Sequence, residues 1–141
     1  MSRFAYPDDL IRRVLSDSRV IAMIGASPDA SRPSNGVLRF LLGKGHRVHP
    51  VNPTCAGQTI HGRTVLASVD DVPEPVDMVD IFRRSEFAGA AVDDAIRIGA
   101  RVAWMQLGVI DEAAAGRAGQ AGLTVIMDRC PVIEYRRLGL P

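Results

Sequence analysis

The apolar positions of this chain follow two alternating patterns. Short unbroken runs, VIAMI (20–24), DMVDIF (77–82), RVAWMQL (101–107) and LTVIM (123–127), are too continuously hydrophobic for strands with one wet face. They predict buried parallel strands covered on both sides. HRVHPVNP (46–53) predicts another strand, stopped by Pro50 and Pro53. Between the runs the spacing becomes helical. Leu10, Ile11, Val14 and Leu15 share one face of a helix entered at Pro7, Asp8 and Asp9. Val37, Leu38, Leu41 and Leu42 stripe a second, with Ser34 or Asn35 as cap and Gly43 and Gly45 at its end. Ser85 is expected to cap a third helix carrying Ala88, Ala91, Val92, Ala95 and Ile96, closed by Gly99. Asp111 is expected to cap an alanine-rich fourth that stops by Gly122, and Pro131–Leu138 forms a fifth. Segment 57–66 reads as a small strand or hairpin, and Pro73 and Pro75 mark a loop. Strand–helix alternation of this kind predicts an α/β fold, doubly wound, with a mostly parallel sheet and helices on both faces. One domain over 1–141 is expected, with residues 1–18 as an N-terminal helix packed on it.

In such sheets ligands sit beyond the carboxyl ends of the strands, where the strand order reverses. In a Rossmann-like order that point lies between strand 20–24 and strand 77–82. Gly25, Ala26 and Ser27 follow the first strand and Asn52 and Pro53 the second. Phe82, Arg83 and Arg84 follow the third, and Gln106 and Gly108 the fourth. A strand running through a small-residue turn into a helix leaves free N–H groups at a positive helix end, which suits phosphate.

Composition narrows the partners. The 141 residues are 47% hydrophobic and 23% charged, with a formal net charge of +1. That balance suits a soluble globular chain and gives no basic field for nucleic acid. No apolar run is long enough for a membrane helix, and MSRFAYPDDL lacks an apolar signal core. Two cysteines, Cys55 and Cys130, make no disulfide framework, so a cytoplasmic location is expected.

The phosphate ligand can be narrowed further. A dinucleotide fingerprint needs G-x-G-x-x-G and an acid after the second strand. Here the turn reads Gly25-Ala26-Ser27-Pro28-Asp29-Ala30 and the strand ends Val51-Asn52-Pro53, which disfavours NAD. No ATP-type G-x-x-x-x-G-K-[ST] occurs. Coenzyme A needs N–H donors for its pyrophosphate and cations for its phosphates. Arg83 and Arg84 stand directly after a strand, and Arg32 precedes the second helix. Guanidinium groups give forked, charge-assisted bonds to phosphate. The alternative is that Arg83 and Arg84 are surface charges or partners of Glu86.

The motifs IGAS (24–27), SRP (31–33), PVNP (50–53), VDMVDIFRRSE (76–86), WMQLGVI (104–110) and MDRCP (127–131), with Glu134 beyond, occur in that order over nearly the whole chain. Together they resemble the small single-domain CoA-binding proteins, which are similar to the N-terminal domain of the succinyl-CoA synthetase α subunit. The resemblance implies a Rossmann-like fold with coenzyme A or an acyl-CoA across the same strand ends. It implies phosphate at Gly25, Ala26 and Ser27, adenosine beside Asn52 and Pro53, the nucleotide flanked by Phe82, Arg83 and Arg84, and pantetheine near Gln106 and Gly108. A side chain at Gly25 would then push the backbone from the pyrophosphate, with the fold retained. One departure stands out. The synthetase carries lysine directly after its Asn-Pro, and here Thr54 occupies that place. Arg32, Arg83 or Arg84 must supply the missing charge.

Candidates for chemistry are few. The synthetase works through a phosphohistidine in a further domain, which is expected to be absent from a chain ending at Pro141. His46, His49 and His61 match no compact zinc spacing with Cys55, so no metal is expected and solvent-facing or capping roles are the simpler account. Asp128 and Glu134 lie among Arg129, Arg136 and Arg137, which points to salt bridging. Trp104 and Met105 read as core, and the small residues of 113–121 as close helix packing. Cys130 has two readings: a buried thiol filling a gap at a strand end, or one able to pair with the thiol of CoA. No catalytic residue is assigned. The expected function is non-catalytic binding of coenzyme A or an acyl-CoA, by a monomer or homodimer, with an unidentified acyl-transfer protein as a partner. The alternatives are a CoA-dependent transferase or ligase component that needs a partner, and an NAD(P)-binding reductase.

Overall fold

The computed structural model describes residues 4–141; residues 1–3 of the expected N-terminal segment lie outside the described residues. The elements run α1 (Asp8–Asp17), β1 (Val20–Ile24), α2 (Pro33–Gly43), β2 (Arg47–Val51), β3 (Thr59–Ile60), β4 (Arg63–Thr64), β5 (Met78–Ile81), α3 (Ser85–Arg97), β6 (Val102–Met105), α4 (Glu112–Gln120), β7 (Thr124–Ile126) and α5 (Pro131–Arg137). The main sheet is parallel, in the order β2-β1-β5-β6-β7. The order reverses between β1 and β5, as the sequence pattern predicts. The β3–β4 hairpin is antiparallel. After it, Leu66 makes a lone parallel bridge to Val51 on the outer side of β2. A further strand position is thus occupied by one residue.

The continuous apolar runs translate into a sheet buried on both faces. Ala22, Ile24, Val79, Ile81, Ala103 and Met105 face α3 and α4, meeting Ala88, Ala91, Val92, Ala114 and Ala118. Ile21, Met23, Val48, Met78, Trp104 and Ile126 face α1, α2 and α5, meeting Ile11, Leu15, Leu38, Leu41 and Tyr135. Alanines on α3 and α4 let those helices lie close to the sheet and to each other. Trp104 and Met105 are fully buried core, as expected. The Trp104 indole N–H donates to the Arg129 carbonyl at 2.9 Å, which ties β6 to the segment after β7. Removing such a side chain typically costs about 3–5 kcal/mol.

Several local expectations need correction. Pro50 lies inside β2 rather than ending it. Its carbonyl accepts from Leu66 N on the outer side, so its missing N–H faces the same near-empty edge and costs no ladder bond. Neither Ser34 nor Asn35 caps α2. That helix begins one residue earlier, with Pro33 in its first turn and Arg32 at the cap position, and no side chain caps it. Ser85 is the first residue of α3 rather than its cap. Asp111 does cap α4, accepting from Ala114 N at 3.0 Å.

The histidines also differ from expectation. His46 and His49 are buried. The His46 Nδ1–H donates to the Ser18 carbonyl, and its Nε2 accepts from the Tyr135 hydroxyl, both at 2.6 Å. That pair of bonds links the start of β2 to the α1–β1 corner and to α5. Burial holds this imidazole below its ordinary pKa. His49 accepts from Arg63 at Nδ1 and donates from Nε2 to Glu74 at 2.8 Å. His61 is exposed, as expected, and bonds Asn35 at 2.8 Å.

Asp80 stands apart from this well-paired interior. It lies on β5 between Met23 and Trp104, is fully buried, and neither carboxylate oxygen has a hydrogen-bond partner among the described residues. Desolvation raises its pKa well above the usual 3.8, which favours the neutral carboxyl. Because the folded state binds this proton more tightly than the unfolded chain, stability is full below pH 3.8 and falls as pH rises through the window above it. The limiting slope is about 1.4 kcal/mol per pH unit. Asp80→Asn is expected to remove that slope and to be the more stable protein at neutral pH. Urea denaturation of both proteins at several pH values checks this; parallel pH profiles would contradict it.

Candidate functional site

The site begins where β1 loses its neighbours. The Gly25 N–H donates to the Val51 carbonyl at 2.9 Å, and the Phe82 N–H donates to the Ile24 carbonyl at 2.8 Å. Beyond these bonds the chains after β1, β2 and β5 separate. Gly25 has φ +86°, and a Cβ built on it would stand 2.0 Å from the Phe82 carbonyl oxygen. Glycine is therefore required by the β5 end, in addition to any ligand. That corrects the expectation that a side chain here would leave the fold intact.

The polypeptide after Gly25 is tightly organised. Asn52 donates from Nδ2 to the Ala26 carbonyl at 2.9 Å, and its Oδ1 accepts from the backbone and hydroxyl of Thr54. Asn35 donates from Nδ2 to the Ser27 carbonyl at 3.1 Å. Ser27 Oγ accepts from Asp29 N, and the exposed Asp29 carboxylate accepts from the hydroxyl and N–H of Ser31. Those Ser31 hydrogen bonds, the hydroxyl first, hold the Asp29 carboxyl below its usual range. The loop thereby delivers the chain to α2, whose first turn has no side-chain cap.

The fourth wall comes from the β6 end. Gly108, at φ +77°, donates its N–H to Asp128 Oδ1 at 2.8 Å. The Ser85 hydroxyl donates to the Gly108 carbonyl at 3.2 Å and accepts from Ile110 N at 2.9 Å. Ser85 and Asp128 thus fix the 106–110 loop from two sides. This places Asp128 in a backbone-holding role beyond the salt bridging expected of it. Glu134 does pair with Arg137, at 3.0 Å, and lies 3.8 Å from Arg129.

These walls enclose a cleft of about 760 Å³ lined by Gly25, Ser27, Arg32, Asn52, Phe82, Arg83, Arg84, Gln106 and Gly108. All nine were singled out in the sequence. Two others were not brought to its surface. Ala26 is buried beneath it, where its carbonyl anchors Asn52, and Pro53 opens the 3₁₀ turn Pro53–Cys55. The cleft also takes in Pro33, Ser34, Val37, Thr54, Leu107, Val109 and Cys130. The α2 contributors follow from the helix starting at Pro33, and proline at a first helical turn was the available signal. Cys130 is half-buried: it packs against the core below the sheet and also lines the cleft, so it is not sealed off as a buried gap-filling thiol would be.

The cations differ in how free they are. Arg84 lies 3.6 Å from Glu86 and over the Phe87 ring, on an exposed surface. Arg32 and Arg83 make no ion pair among the described residues. Gln106 is 6% exposed, and its Oε1 has no partner among the described residues. An uncapped helix start and two guanidinium groups that make no ion pair among the described residues form a site suited to an anionic ligand.

Residues 19–136 match the family described as the CoA binding domain. The chain belongs to that family. The CoA binding domain here is 33% identical over 125 residues to the uncharacterized protein YneT of Bacillus subtilis (strain 168), covering 89% of this chain and 91% of that one. A solved structure of a hypothetical protein from Pyrococcus horikoshii OT3 superimposes with a TM-score of 0.90 at 34% identity, covering 98% and 99% of the two chains. A further match is a dinucleotide-forming acetyl-coenzyme A synthetase from Ca. Korarchaeum cryptofilum, with a TM-score of 0.71 at 31% identity. It takes in 84% of this chain and only 27% of the synthetase chain. The Rossmann-like fold is shared with these relatives, and among the described residues no helix of the CoA binding domain is long and apolar enough to cross a membrane.

Gly25 and Gly108 both have left-handed backbones, but a Cβ at Gly108 would meet open space. Gly108→Ala is expected to cost only backbone strain, roughly 1–2 kcal/mol. Gly25→Ala adds the collision with the Phe82 carbonyl and is expected to cost clearly more. Urea titrations of the two variants compare them directly. Equal losses would mean that the β1–β5 contact is not the constraint described.

Proposed function

We propose that this protein binds coenzyme A or an acyl-CoA across the ends of β2, β1, β5 and β6, without catalysing a reaction on its own. The observation that carries the reading is the convergence of four strand ends and three arginines on one cleft, in a chain that belongs to the CoA binding domain family. The pyrophosphate is assigned to the turn at Gly25, Ala26 and Ser27 and to the uncapped start of α2, where free N–H groups and the helix dipole favour an anion. The adenosine half is assigned to the space between Asn52 and Phe82. Arg32, Arg83 and Arg84 supply the charge that Thr54 does not. Gln106 and Gly108 are assigned to the pantetheine arm, whose amide N–H groups offer a donor to the unpartnered Gln106 Oε1.

The absence of a carboxylate after Val51 works against NAD, whose ribose hydroxyls call for one at that place. The backbone walls are held by hydrogen bonds that need no ligand, so the cleft is largely formed in advance and little ordering opposes binding.

Calorimetry with CoA, dephospho-CoA and NAD at one salt concentration tests the reading. CoA is expected to bind far more tightly than NAD. A hydrogen bond to a charged group contributes roughly 1.5–3 kcal/mol, so Arg83→Ala is expected to weaken CoA by about 10- to 100-fold. Arg84→Ala is expected to do less, because Arg84 already shares its charge with Glu86. An arginine on the 3′-phosphate loses its discrimination between CoA and dephospho-CoA when replaced; one on the pyrophosphate weakens both alike. NAD binding as tightly as CoA, or indifference of both ligands to Arg83→Ala and Arg84→Ala, would contradict the assignment.

A further inference from the structure

We propose that Cys130 is a thiol–disulfide exchange site for oxidised coenzyme A, through which the protein holds CoA covalently as a mixed disulfide. The proposal rests on the CoA reading of the cleft and adds a chemistry to it. Cys130 is a free, half-buried cysteine on the wall of that cleft. It follows β7, whereas Asn52 and Thr54 follow β2, at the opposite edge of the sheet. A ligand whose adenosine lies by Asn52 therefore runs its pantetheine arm past β5 and β6 toward Cys130.

A second, independent feature points to that arm. Gln106 lines the same cleft, is 94% buried by its 6% exposure, and has a side-chain oxygen with no partner among the described residues. A buried amide oxygen left unpaired costs free energy, and a ligand N–H that reaches it on binding would remove that cost. Pantetheine carries such amides next to its thiol. Gln106 would thus hold the arm on the cleft wall that it shares with Cys130, the residue at the start of α5. Beyond Cys130 a second cavity of about 630 Å³ meets the cleft at Leu107 and Cys130 and is lined also by Tyr6 and Ile133. That cavity, whose lining mixes Arg129 and Arg137 with Asp8, Asp128 and Glu134, opens the far side of Cys130 as well. The other cysteine is placed differently: Cys55 is buried, and its thiol donates to the Ala26 carbonyl at 3.7 Å.

The step balances without an outside oxidant. The Cys130 thiolate attacks one sulfur of CoA disulfide. The CoA–CoA sulfur bond breaks, the Cys130–CoA sulfur bond forms, and the second CoA leaves as thiolate and takes up the proton that Cys130 lost. One disulfide is consumed and one is made.

The full chain is incubated with CoA disulfide, and separately with oxidised glutathione, and followed by intact-mass spectrometry without reductant. One CoA adduct per chain is expected, mapped by peptide analysis to Cys130 and released by dithiothreitol. Guided by the cleft, it is expected to form at least about tenfold faster than the glutathione adduct. Cys130→Ser is expected to give no adduct with an unchanged circular dichroism spectrum. Gln106→Leu is expected to slow the CoA adduct and not the glutathione one. An adduct on Cys55, equal rates for the two disulfides, or no adduct from a protein that binds reduced CoA in the calorimeter would overturn the exchange site and leave the CoA reading standing. Failure of reduced CoA to bind at all would overturn the CoA reading itself.

Discussion

At the end of β1, the Phe82 carbonyl occupies the place where a side chain on residue 25 would stand. The two central strands can approach this closely only because residue 25 is glycine in a left-handed conformation. The contact sets where β1 and β5 part, and hence where the cleft opens. Everything around it is arranged from that point. Asn52 reaches back to Ala26, Asn35 reaches Ser27, and Ser85 and Asp128 hold the Gly108 loop. Each of these side chains bonds backbone that a ligand would approach, so the walls are braced by hydrogen bonds although they consist of loops.

The sheet supports this arrangement by being dry on both faces. Apolar burial of this extent is the main favourable term in folding. Against that background the exceptions carry information. Asp80 sits buried and unpartnered between Met23 and Trp104, a local conflict tolerated two residues before the cleft-lining Phe82. Gln106 leaves one side-chain oxygen unsatisfied, and it lies on the cleft itself. Well-packed proteins retain few such groups, and those they retain concentrate near sites.

The fold was legible because buried parallel strands leave unbroken apolar runs and amphipathic helices leave a different period. VIAMI, DMVDIF and VAWM fell into place directly, and so did the reversal of strand order between the first two. What the sequence hid was geometry set by non-local partners. Pro50 reads as a stop, yet it sits in a strand because its missing N–H faces a nearly vacant edge. His46 reads as a surface residue, yet Tyr135, far along the chain, buries it. Eight cleft residues were readable from the rule that ligands gather at strand ends, and Arg32 from its place before the second helix. Leu107 and Val37 were not, since an apolar residue on a loop or helix carries no sign of what it faces. Ala26 shows the opposite error: it lies in the right turn, but the turn points its side chain inward.

A structure determined with CoA added tests the account most directly. It predicts a ligand crossing the ends of β2, β1, β5 and β6, with its pyrophosphate at Gly25–Ser27, Arg83 on a phosphate and its thiol end beside Gln106 and Cys130. A ligand seated in another cavity, or lying with its nucleotide over β6 and β7, would contradict it.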